Sequence, residues 1–111
     1  MAEGYPIKLV RDRIREQESV HDGTVQIWSV GSTTRLAMLK KKLLEEAAEY
    51  LVDGEIGELA DLLEVIECLA KLDHGYDFKG LRKLQLDKRR QLGAFLRGHV
   101  LYAYPPGKEI L

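Results

Sequence analysis

Five carboxylates stand at spacings that could do chemistry. Glu45, Glu46 and Glu49 come first, and Glu58 and Asp61 follow. The pairs Glu46/Glu49 and Glu58/Asp61 are each separated by three residues. On a helix that spacing puts both side chains on one face, about 5–6 Å apart at Cβ. Residues 43–70 contain nine acids and no Lys or Arg. A solvated helix face usually mixes signs, because Glu and Lys at i,i+4 support one another. An acidic stretch without bases calls for a cation from elsewhere, either flanking basic segments or a metal. Carboxylate oxygens in this number suit Mg²⁺ or Mn²⁺, not a soft metal. Zinc is disfavoured, since Cys68 is alone and His21, His74 and His99 are scattered. On spacing and charge alone, a metal site and a solvated acidic face both stay open. Glu64 and Glu67 extend the ladder beyond Asp61. Glu67 drifts into an apolar arc, as an extra ligand or, the preferred expectation, as the partner of a base.

The bases lie on either side. Residues 1–42 hold eight bases and five acids, and residues 71–98 hold eight bases and three acids. The formal charge of −1 over 111 residues therefore conceals a basic, an acidic and a basic block. Acids to hold a cation and bases to hold an anion are what a metal-and-phosphate site needs. Lys40-Lys41-Lys42 and Arg89-Arg90 are basic clusters, but the net charge and the acidic middle weigh against nucleic acid as partner. No G-x-x-x-x-G-K-[ST] loop is present, which excludes a P-loop nucleotide hydrolase.

These residues must be positioned by helices. Hydrophobic residues make up 45% and charged residues 32%, a globular composition sufficient for one domain over 1–111. Ile7, Val10 and Ile14 suggest a short first helix or a turn-rich arm after Pro6. Asp22-Gly23 signals a turn, and Thr24–Val30 alternates as a short extended piece. Ser32, Thr33 and Thr34 are N-cap candidates for a helix over about 35–52. Its apolar stripe is Leu36, Leu39, Leu43, Ala47, Tyr50 and Leu51, with Glu46 at the edge and Glu49 one step further out. Gly54 stops it. A helix over about 55–72 is apolar nearly all round, so it is central or faces a partner subunit. Asp77 caps a last helix over about 78–92, stopped by Gly93. The tail 99–111 reads as extended, and Pro105-Pro106-Gly107 forbids helix there. The expected fold is an all-α bundle of about four helices with little or no strand. A short link at Asp53-Gly54 makes the two central helices antiparallel and turns their carboxylate pairs toward each other. Trp28 and Tyr50 could stack on a base, though a core or subunit-interface place is preferred. Cys68 reads as a small buried hydrophobe. No apolar run reaches the length of a membrane span, and Met1–Pro6 lacks the features of a secretory leader, so a cytoplasmic location is expected.

Glu45-Glu46-x-x-Glu49 followed by Glu58-x-x-Asp61 resembles the EExxE…ExxD signature of the all-α nucleoside triphosphate pyrophosphohydrolases. That superfamily includes MazG-like proteins and phosphoribosyl-ATP pyrophosphohydrolases. Lys8-Leu9-Val10-Arg11-Asp12-Arg13-Ile14 is similar to the K-L-V-R-D-K-I opening of the phosphoribosyl-ATP pyrophosphohydrolase-like branch. Leu39–Glu46 and Glu58–Glu67 are similar to its two central helices, and Lys88–Phe95 to its closing K-x-x-x-R-G-G-F segment. The likeness runs in order over about 7–96 and leaves the tail from 99 without a counterpart. Arg15 stands where the family often has Pro. Leu92 stands where it has Arg, removing one base.

The resemblance implies a MazG-like helical domain that cleaves the α–β phosphoanhydride of a nucleotide to a monophosphate and pyrophosphate, in a house-cleaning role. It implies Mg²⁺, with Mn²⁺ as substitute, on Glu46, Glu49, Glu58 and Asp61, with Glu45 behind a ligand or as base. It implies phosphate binding by Lys8, Arg11, Lys88 and Arg89, with Asp12 orienting Arg11, and assembly as a homodimer or homotetramer. Two other outcomes are phosphoribosyl-ATP hydrolysis in histidine biosynthesis and a non-catalytic, nucleotide-binding helical oligomer.

Overall fold

Gly31 holds an extended conformation and its carbonyl accepts from Arg35 N–H at 2.9 Å, which starts the first long helix. In the computed structural model, which describes residues 7–17, 25–103 and 105–108, α1 spans Ser32–Asp53. The Ser32-Thr33-Thr34 run therefore lies inside the helix. The cap is Gly31, and it supplies no side-chain hydrogen bond. The helix ends at Gly54, whose φ of 68° is the left-handed conformation that a side chain disfavours. Gly54 N–H closes onto Tyr50 O at 2.8 Å, and Glu55 N–H bonds Asp53 Oδ1 at 2.9 Å. Two residues thus reverse the chain into α2, Ile56–His74.

The pairing of α1 with α2 is antiparallel. Lys40, near the start of α1, reaches Asp73 at the end of α2 at 3.5 Å. A second left-handed glycine, Gly75, ends α2, with Gly75 N–H on Lys71 O and Tyr76 N–H on Ala70 O, both 3.0 Å. The Gly75 bond is that of an αL cap. Asp77 then caps α3, Phe78–Leu92, by accepting from Gly80 N–H at 2.8 Å. Gly93 follows the last turn of α3.

Three differences from the expected bundle have physical reasons. Among the described residues there are three α-helices, not four, because the Ile7–Ile14 region yields only a 3₁₀ segment over Asp12–Glu16. Five residues cannot offset the cost of helix nucleation. The bundle is open as well: α3 packs on α2 and not on α1. Leu51, placed in the α1 stripe by periodicity, is 85% exposed. The stripe that meets α2 is Leu36, Leu39, Leu43, Glu46, Ala47 and Tyr50, rotated away from Leu51.

Among the described residues no strand forms. Residues 25–30 and 99–103 are irregular, and Pro106-Gly107 makes a turn. The Asp22-Gly23 turn, His21, Pro6 and Thr24 lie outside the described residues. No helix is long and apolar enough to cross a membrane among those described. The buried apolar side chains among them are Leu39, Val65 and Ala70, a small core lying along the α1–α2 seam.

Candidate metal centre

The hairpin brings three of the paired acids together toward its connected end. Glu46 comes from α1, and Glu58 and Asp61 from α2. One carboxylate oxygen of each lies within 4.8 Å of the other two. Around Mg²⁺, opposite ligands are about 4.2 Å apart and adjacent ones about 3.0 Å at its usual bond length, so the three side chains must draw together to share such an ion.

Glu46 is 5% exposed, the one buried charged residue among those described. Its Oε1 faces Lys42 Nζ at 3.2 Å. Its Oε2 is shielded from solvent and has no hydrogen-bond partner. An ionised oxygen in that position is costly unless a cation meets it. Glu58 Oε2 is shielded and unpartnered in the same way. The Glu58 carboxyl is pushed up to about 7, first by a hydrogen bond shared with Glu49. Desolvation adds to it, then the charges of Asp53 and Glu49, then Glu46. Two carboxylates can share a hydrogen bond only when one holds a proton. With both ionised, the shielded oxygen has no donor, and a hard cation is the natural substitute for that proton. The donor set thus fits Mg²⁺ or Mn²⁺.

The five candidate carboxylates divide. Glu46, Glu58 and Asp61 converge. Glu49 is exposed and enters through Glu58, lining with Ala48, Val52, Asp53 and Glu58 a shallow open depression of about 320 Å³. Glu45 turns to Lys41 and Lys42, at 4.0 and 3.9 Å, and stands outside the cluster.

Among the phosphate candidates, Arg11 is placed at the cluster, with Nη2 2.5 Å from Asp61 Oδ1. The hydrogen bond to Asp61, above all, holds the Arg11 proton more tightly than usual. Asp61, not Asp12, is the residue that orients Arg11. Lys8, Lys88 and Arg89 are exposed, and no ion pair ties them to the carboxylates among the described residues. Glu67 also lacks a basic partner among those residues, contrary to expectation.

Two groups near the cluster escaped sequence reasoning. Lys42 on Glu46 was legible as an i,i+4 pair, had the helix rotation been known. Asp53 near Glu58 had no signal beyond its place in the link. Cys68 is half-buried and donates to Glu64 Oε2 at 3.4 Å; burial, then that bond, raises its pKa. Trp28 is 59% exposed and so is not a core residue. Protein-family models, curated proteins and solved structures yield no match to this chain.

Proposed function

We propose that this chain is a Mg²⁺-dependent nucleotide pyrophosphohydrolase of the all-α, MazG-like kind, cleaving between the α and β phosphates. The observation that carries the proposal is the buried Glu46, with its unpartnered oxygen beside Glu58 and Asp61 at the closed end of a helical hairpin. The order of the four matching segments along the sequence supports the same assignment.

Glu46, Glu58 and Asp61 would hold the metal. When bound, Mg²⁺ reverses the sign of an acidic pocket, neutralises phosphate oxygens and lowers the pKa of a coordinated water. Glu49, exposed beside Glu58, would accept the proton of a water attacking the α-phosphorus. Glu45 acts at one remove, holding Lys42 against Glu46. Lys8, Arg11, Lys88 and Arg89 supply positive charge to the departing pyrophosphate.

The functional unit is proposed to be a homo-oligomer. Among the described residues, Leu44, Leu51, Val52, Ile56 and Leu63 are large apolar side chains left exposed on the two long helices, a surface that a partner subunit would cover.

The test is a product assay. Ordinary and damaged nucleoside triphosphates, together with phosphoribosyl-ATP, are incubated with the protein and Mg²⁺ or Mn²⁺. Pyrophosphate and a nucleoside monophosphate are expected from at least one ordinary or damaged triphosphate. Turnover of phosphoribosyl-ATP alone would assign the narrower biosynthetic reaction. Orthophosphate alone would mean different chemistry, and no product from any substrate would leave a non-catalytic nucleotide binder.

A further inference from the structure

Arg11 occupies a place that phosphate binding alone does not explain. Its guanidinium crosses fifty residues of sequence to one of the three clustered carboxylates, at 2.5 Å from Asp61 Oδ1. Among the described residues, this is the one polar link between segment 7–17 and the helices. The other side-chain bonds of that segment are Arg13 to Glu16, within it, and Arg15 to the Ile27 carbonyl. Holding Asp61 therefore also holds the arm.

A cation among the three carboxylates would have to share Asp61 with the guanidinium, which already takes a lone pair of Oδ1. A divalent ion among Glu46, Glu58 and Asp61 would also sit close to the Arg11 charge and repel it. Resting on the metal-centre proposal, we infer that Arg11 is a latch: it and the divalent cation compete for Asp61, so that metal binding releases the 7–17 arm. The released guanidinium lies beside the metal site, where a phosphate arriving with the cation can accept it. Arm release and metal binding are two ends of one equilibrium. Whatever factor the latch takes from metal affinity, the metal takes from latch closure.

The size of the effect follows from the exposure of the pair. Arg11 and Asp61 side chains are 56% and 41% exposed, so the pair is a solvent-screened one. Its loss should change metal affinity by about two- to fivefold. The experiment titrates Mg²⁺ calorimetrically, without nucleotide, into the wild type, Arg11→Met and Arg13→Met. Arg13 lies on the same arm and, among the described residues, pairs with Glu16 and not with the cluster, so its variant reports the effect of removing one arm charge. Arg11→Met is expected to bind Mg²⁺ about two- to fivefold more tightly than the wild type, and Arg13→Met to change less. The second readout is trypsin cleavage after Arg13 and Arg15. Mg²⁺ should accelerate it in the wild type by the same factor, while Arg11→Met is cleaved rapidly with or without the ion. Equal Mg²⁺ affinity in all three proteins, or wild-type cleavage indifferent to Mg²⁺, overturns the latch and leaves the metal centre standing. No Mg²⁺ binding in any of the three overturns both.

Discussion

Glu46 and Glu58 show how much a position on a helix decides. The i,i+3 spacing of the acids was legible, and so was their convergence across a short link. The degree of burial was not. Including Leu51 in the α1 stripe moved the apparent seam away from Glu46, because Leu51 lies on the opposite flank of that stripe. The contact with α2 corrects this and places Glu46 inside. The Arg11–Asp61 pair had no local signal at all, since fifty residues separate its members. A pH dependence follows for Glu58. Its folded pKa of about 7 lies above its ordinary value of 4.5, so the folded protein binds more protons than the unfolded chain between those values. For a carboxyl shifted upward, stability contributed by this group falls as pH rises through that window. Thermal melts in chelator between pH 5 and 7.5 should show a decline that Glu58→Gln reduces. Equal slopes in both proteins would contradict the shared proton with Glu49.

At the scale of elements, helix positions and stops were largely readable, because glycine and aspartate punctuate the chain for local reasons. Gly54 and Asp77 act as the sequence suggests, closing α1 and capping α3, and Gly75 closes α2. The first helix was not readable, because apolar spacing over seven residues cannot distinguish a helix from a 3₁₀ turn. Gly54 has particular weight, since the two-residue link it forms aligns the carboxylate pairs. A Cβ there would meet nothing within 4 Å, so a substitution is opposed by backbone conformation alone. Gly54→Ala should lower stability by about 1–2 kcal/mol, measured by urea unfolding. An unchanged midpoint would show that the left-handed turn is not required.

Among the described residues, both long helices carry apolar side chains that nothing in the chain covers. On α1, Leu44, Leu51 and Val52 form a second apolar face, separate from the one against α2. On α2, Ile56, Leu59, Leu63 and Ile66 form another. Periodicity had marked α2 as apolar nearly all round, but the bare face of α1 was hidden by assigning Leu51 inward. Light scattering should give a mass at least twice 12.6 kDa, and Leu63→Glu should reduce it. A monodisperse, well-folded monomer would contradict the assembly.

The central claim is that three carboxylates of the hairpin hold the metal that hydrolysis needs. The most direct measurement is pyrophosphate release from a nucleoside triphosphate by wild type and Asp61→Asn, each with Mg²⁺ and with chelator. Release is expected only from the wild type with Mg²⁺, with a loss of more than about a hundredfold in Asp61→Asn while its helical circular dichroism is retained. Release that survives both the chelator and the substitution would contradict that claim.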